Sequence, residues 1–454
     1  MKIAISSRTP DAHQVIRHLL LPWRVTFSGL DESDILIVYE EKPPENMKTI
    51  VVPSDSVDSG EELGSEGLSA VRKPGTETFV AVTPQTALSM VPRTQFCYEG
   101  AIETASSTNQ PLLVKLNDDT FLLTIDIVEE YGRILSESLN PKMSRFHQFL
   151  TNIPIPYTVA PKQLRNYFMA WKVQRKSPNL FDKLPLDALR FLLVRAIEET
   201  VDEELERRTW NGKRYACAIT HDIDTRDGLK RAGIVKKLEE KYDVPSTWYI
   251  PTKHYKLDTE AIRRLVNHGE IGAHDTRHDG KLAGLPKQEM IARLHEAKQT
   301  LQKIADCPVT GFRAPLLQHN AMIVWALAEA GYTYDTSIPA WEPKHPYVMK
   351  SSGIGTTNPI RLGGIAEIPV TLPQDDQMLH VLGMTPRQTV EAWIELKEVV
   401  RDIGGICIIL MHPSYEMAHP KNLSTYEDLI NDLAMDNEAW LTIPAEIANR
   451  CLNP

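Results

Sequence analysis

The hydrophobic and polar positions along the chain change rhythm near residue 210. Before it, a short apolar strand over residues 2–6 is followed by a helical pattern over 11–20. Apolar runs at 33–39 (SDILIVY) and 49–52 have the length and β-branched content of buried strands. Residues 54–76 are rich in Ser, Gly, Asp and Glu, which predicts a solvated loop. Residues 112–126 (LLVKLNDDTFLLTID) predict a hairpin turning at Asn117, Asp118 and Asp119. Residues 127–210 read as mainly helical, with a charged helix over 186–207 that stops before the breaker pair Asn211 and Gly212.

After the break, strand and helix alternate. Strands are expected at 215–220, 246–250, 271–274, 309–313, 364–370, 405–411 and 440–443. Helices are expected at 228–241, 258–268, 286–304, 320–330, 386–403 and 426–436, with another at the end of the chain. Repeated strand–helix units imply a parallel sheet or barrel. The expected plan is an α/β domain over 1–130, a mainly helical connector over 131–210 and an α/β barrel over 211–454. No GxGxxG follows the first strand, so nothing supports a dinucleotide site there.

Composition narrows the function. A chain of 454 residues is too long for one compact core. Its formal net charge of -10 argues against a nucleic-acid partner. Cys97, Cys217, Cys307, Cys407 and Cys451 are odd in number, widely spaced and form no CxxC pair, as expected in a reducing compartment. The first residues lack the apolar core of a signal peptide, and the most apolar stretch, 404–411, is far shorter than a membrane span. The expectation is a cytoplasmic protein with no membrane span, acting on a small-molecule or oligosaccharide substrate.

In parallel barrels, reactive groups gather at the C-terminal ends of strands. The polar clusters of this half fall there: Thr220 to Asp224, His274 to His278, Arg313 to Pro315, and His412 after ICIILM. Asp224, His274 and His278 offer one carboxylate and two imidazoles, a set suited to zinc or a similar divalent ion. The four-residue separation of the histidines fits one side of a helical turn. Asp222 lies two residues from Asp224 and, on an extended segment, faces the same way. It is the candidate base, with Arg313 to hold it ionised. His412 is the candidate acid for a leaving amine. Asp335, Asp275 and Glu367 are all candidates to orient it. The backbone N–H of Leu316, after Pro315, is placed to stabilise an oxyanion.

These motifs, in this order, resemble the polysaccharide deacetylase family, also called the NodB-homology domain or carbohydrate esterase family four. The resemblance covers residues 215–454. It implies a distorted (β/α) barrel of about seven strands. It also implies Asp222 as base, Asp224, His274 and His278 as metal ligands, and hydrolysis of N- or O-acetyl groups on sugars. Leu410-Met411-His412 matches the last motif of the family, and Arg313 with Pro315 the third. The sequence departs from the family in Ile223 between the two aspartates, in Asp275 after the first histidine, and around Asp335, where only Trp341 lies near the expected aromatic wall. The alternative expectation is therefore an amidohydrolase acting on a non-sugar linear or cyclic amide.

Overall fold

The computed structural model describes residues 1–39, 41, 44, 47–53, 68–72, 79–82, 110–115, 119–123, 126–139, 184–340 and 353–453. The chain divides into two compact units, Met1–Ser136 with Phe181–Arg208, and Glu137–Leu180 with Thr209–Pro454.

The first unit carries β1 (Lys2–Ser7), α1 (Pro10–Leu20), β2 (Thr26–Phe27), β3 (Ile35–Tyr39), β4 (Thr49–Val52), β5 (Leu68–Arg72), β6 (Phe79–Val82), β7 (Gln110–Lys115) and β8 (Thr120–Leu123). Two helices follow, α2 (Ile127–Leu139) and α3 (Pro185–Val201). The sheet runs in the order β2-β1-β3-β4-β8-β7-β5-β6. Its first five strands are parallel and the rest antiparallel. Ile3, Ile35, Ile37 and Val38 of the strands are fully buried, as are Ile16, Leu19 and Leu20 of α1 and Leu193 and Ile197 of α3.

The hairpin forms as expected, Leu113 pairing with Leu123; its turn residues Asn117 and Asp118 lie outside the described residues. The expected loop over 54–76 is corrected in part. Residues Leu68–Arg72 form β5, held by main-chain bonding to β6 and β7 rather than by any local strand signature. The segment expected as a connector, 131–210, is shared between the two units, because α3 buries its leucines in the first. Residues 140–183 lie outside the described residues.

The second unit alternates strand and helix. Its elements are β9 (Tyr215–Asp222), α4 (Arg226–Lys241), β10 (Ser246–Ile250), α5 (Thr259–Val266), β11 (Gly269–Ala273), α6 (Lys287–Ala305), β12 (Gly311–Phe312) and α7 (Ala321–Glu329). Then come β13 (Tyr334–Asp335), β14 (Ile360–Leu362), β15 (Ile365–Glu367), α8 (Pro386–Ile403), β16 (Ile406–Met411), α9 (Leu423–Met435), β17 (Ala439–Leu441) and α10 (Pro444–Leu452). The path β15-β13-β12-β11-β10-β9-β16 is parallel throughout. β14 adds an antiparallel edge, and β17 also pairs with β9.

All residues of β9, β10 and β16 are buried on both faces, so none of them shows a strict apolar/polar alternation. The sheet curls until its ends meet. Leu372 N donates to Ile408 O at 3.3 Å, and Ile408 N donates to Thr371 Oγ1 at 2.7 Å. The seam is thus made of scattered bonds rather than a ladder, and the barrel is distorted.

Local chemistry sets the helix ends. Thr225, Asp258 and Asn320 each accept a backbone N–H in the first turn of α4, α5 and α7. Thr385 and Gln388 form a capping box on α8, and Gly404 ends that helix with φ 69°. At Gly311 a Cβ would lie 1.9 Å from Tyr334 Cζ, so only glycine lets that ring cross the strand. Among the described residues, no helix is long and apolar enough to cross a membrane.

Candidate metal centre

Side chains of β9 alternate across the sheet. His221 points to the outer side, where Nε2 lies 2.7 Å from Glu239 Oε1 and the ring stacks on Trp248 at 4.2 Å. Thr220 and Asp222 point to the other side, toward Arg313. One Arg313 nitrogen, Nη1, donates to Thr220 Oγ1 at 2.8 Å and to Asp222 Oδ1 at 3.1 Å. Nε and Nη2 donate to Thr336 O and Oγ1, and the guanidinium sits 4.4 Å from the Tyr249 ring centroid. Arg313 is fully buried and Asp222 is 3% exposed, so each charge depends on the other.

Asp224, His274 and His278 each present a ligand atom, all within 4.8 Å of one another. His274 Nε2 lies 3.3 Å, and His278 Nε2 3.4 Å, from Asp224 Oδ1. His274 Nδ1 lies 2.8 Å from Arg313 O. A carbonyl only accepts, so Nδ1 carries a proton and Nε2 is the ring atom turned toward the carboxylate; burial opposes charge on the ring, but Asp222 and Asp224 beside it raise its pKa. Both His274 Nε2 and Asp224 Oδ1 are buried without a hydrogen-bond partner. A carboxylate oxygen and an imidazole nitrogen this close in a dry site need a positive charge shared between them, a proton on Nε2 or a metal ion. The donor set, one carboxylate and two imidazoles, fits zinc or a similar divalent ion. Burial pushes the Asp224 carboxyl up, but His278, His274 and His412 overcome it and hold the group below its usual range.

The expected helical turn under the two histidines is corrected. Residues 274–278 form a loop, and Asp275 has φ 65°. The loop is pinned instead by main-chain bonds to the end of β10 and the residue beyond it, with His274 N donating to Ile250 O and Thr252 N to Asp275 O.

His412 follows β16 and enters the same space. Its Nε2 lies 3.7 Å from Asp224 Oδ2 and 3.9 Å from Asp222 Oδ2. Its Nδ1 lies 2.6 Å from Asp375 Oδ1, and its backbone N donates to Asp375 Oδ2 at 2.8 Å. Asp375 is fully buried. Burial opposes charge on His412, but Asp375, then Asp224 and Asp222, push its pKa up to about 10. The Tyr415 ring covers it at 4.8 Å.

None of the three carboxylates expected to orient His412 does so. Asp335 accepts from Ser337 Oγ at 2.5 Å, Glu367 from Ile338 N at 3.0 Å, and Asp275 binds Arg293. They are β13, β15 and loop residues with their own partners. Asp375 sits in Leu-Pro-Gln-Asp-Asp-Gln, ahead of a π-helical turn at Gln377–Val381, where no periodicity marks it. The pair of aspartates after an apolar stretch was the only signal available.

Pro315 and Leu316 lie in a single 3₁₀ turn, Pro315–Leu317. Leu316 and Leu317 have φ of 60° and 50°, a left-handed geometry that costs a non-glycine residue roughly 1–2 kcal/mol. The turn starts from Arg313, whose carbonyl receives His274, and from Ala314, whose N–H donates to Ser337 Oγ at 2.8 Å. Trp341 lies outside the described residues.

The fold and site define a parallel α/β-barrel domain with an Asp/His cluster at the C-terminal rim of its strands. Residues 215–334 match the model of the polysaccharide deacetylase family. A peptidoglycan deacetylase from Helicobacter pylori is 30% identical over 103 residues, which are 22% of this chain and 35% of the relative. The match thus spans about a third of that relative's length. A solved polysaccharide deacetylase from Mycobacterium smegmatis is 22% identical, covering 54% of this chain and 92% of its own, with a TM-score of 0.46. A solved allantoinase is 17% identical, covering 53% and 91%, with a TM-score of 0.41.

Proposed function

We propose that the barrel is a metal-dependent deacetylase that removes acetyl groups from an N-acetylated, or O-acetylated, sugar or sugar-containing precursor. The observation that carries this reading is the buried pair His274 Nε2 and Asp224 Oδ1, 3.3 Å apart with no other hydrogen-bond partner, beside Asp222 and next to His278. Asp224, His274 and His278 would hold the ion, most simply zinc. When bound, such an ion acidifies water and polarises an acyl oxygen.

The other steps belong to the side chains. Arg313 holds Asp222 by Oδ1, leaving Oδ2 free on the side of His274 and His412. Asp222 Oδ2 takes the proton of the attacking water. His412, with its Nδ1 proton directed to Asp375, delivers the proton on Nε2 to the departing amine or alcohol. Acid and base thus reach one point from the ends of neighbouring strands, β16 and β9. The neighbouring Pro315–Leu317 turn offers the Leu316 N–H to the acyl oxygen.

Asp222→Asn tests the assignment. The variant is expected to keep its bound metal and to lose turnover by roughly 10²–10⁴-fold, the usual worth of a positioned base. Wild-type turnover in that variant would remove Asp222 from the mechanism.

A further inference from the structure

The loop that carries two of the three candidate ligands is organised by one side chain outside the site. Arg293 projects from α6 and reaches three successive odd-numbered positions of the loop. Its Nε donates to Asp275 Oδ1 at 2.6 Å and its Nη2 to Asp275 Oδ2 at 2.5 Å. Nη2 also donates to Arg277 O at 2.9 Å and to Asp279 Oδ1 at 2.8 Å, and Nη1 to Asp279 Oδ2 at 3.3 Å. His274 immediately precedes the first of these anchors, and His278 lies between the last two. The Arg293 side chain is 14% exposed and Asp275 is buried, so the contact is sheltered from solvent.

The backbone explains why an anchor is needed. Asp275 adopts φ 65°, a conformation that L residues other than glycine enter reluctantly, although Asp and Asn do so more readily than most. Its carboxylate Oδ1 accepts from its own neighbour, Thr276 N, at 2.6 Å, and from Arg293 Nε, while Oδ2 takes the other arm of the fork, Nη2. The left-handed step turns the chain after His274 so that His278 comes back to Asp224. A planar, bidentate guanidinium fixes the direction of that step in a way a point charge does not.

We propose that Arg293 is a positioning residue of the metal centre, holding the 275–279 loop so that His274 and His278 converge on Asp224. This inference rests on the reading that the cluster binds a divalent ion. It assigns Arg293 no contact with substrate and no proton transfer.

The test is ion affinity of the full-length chain. Dissociation constants for zinc and cobalt would be measured by chelator competition on wild type, Arg293→Lys, Arg293→Met and Asp279→Asn. The visible spectrum of bound cobalt and the melting of the ion-free proteins would be recorded beside them. Loss of outer partners of metal ligands typically weakens binding by about 10–100-fold. That loss is expected in both Arg293 variants, with an altered cobalt spectrum. Asp279→Asn, which keeps the fork on Asp275, is expected to lose less. Because Asp279 is partly exposed, this variant reports even where Arg293 variants fold poorly. Folded variants with wild-type affinity and an unchanged cobalt spectrum would overturn the proposal while leaving the metal reading intact. A wild type that binds neither ion would overturn both.

Discussion

Asp375→Asn should separate orientation of the acid histidine from every other function of the site. The substitution keeps shape and an acceptor for His412 N, and removes the negative charge 2.6 Å from Nδ1. An opposite charge at hydrogen-bond distance is worth about 1–3 pH units to a titrating group. His412, at about 10 with Asp375 in place, should fall by that amount. The sign follows directly. The protonated ring is the active acid, so turnover falls as pH rises through its pKa, and the alkaline limb of the rate profile moves down in the variant. An asparagine that turns its NH₂ toward Nδ1 would also select the wrong tautomer. The combined loss in kcat should be roughly 10²-fold, or about 2.7 kcal/mol of barrier. The assay is kcat against pH, with metal content measured on the same samples. A variant holding the wild-type complement of metal, with kcat and alkaline limb unchanged, would refute the orientation argument.

Glu270 offers a prediction for stability. Burial outweighs its bonds from Tyr334 and Thr247 and raises its pKa from 4.5 to about 7. Between those values the folded protein holds a proton that the unfolded chain releases, so stability falls as pH rises, by about 3 kcal/mol (4.5 to about 7 at 1.36 kcal/mol per pH unit). Glu270→Gln should remove that slope, so that its stability relative to wild type improves steadily from pH 4.5 to 7. Parallel denaturation midpoints across this range would show that Glu270 is not the titrating group.

The long, fully buried strands were the most legible part of the chain. β9 opens with the apolar run Tyr215–Ile219 and β16 is apolar throughout, and the polar residues that follow these runs, Asp222, Asp224 and His412, stand out against that background. Periodicity likewise found the helices between them. β12 and β13 are two residues each, too short to impose a pattern, and β13 escaped notice. The site was legible wherever a residue follows a strand directly. Asp375 does not; it enters through a loop and a π-helical turn, 37 residues from His412, and only the closed barrel joins them. Asp335 and Glu367 were plausible because they end strands, but Ser337 and Ile338 N bind them below the reactive space. The loop of His274 and His278 shows the converse. Spacing alone suggested a helical turn, and the left-handed Asp275, fixed by Arg293, produces a similar convergence without one.

The most direct test of the account is acetate release from N-acetylglucosamine oligomers by protein stripped with a chelator and then titrated with zinc. The account predicts no release from the stripped protein, release that rises with zinc and levels off at about one ion per chain, and none at any zinc level from a His274→Ala/His278→Ala variant. Release that is unaffected by stripping, or by loss of both histidines, would contradict it.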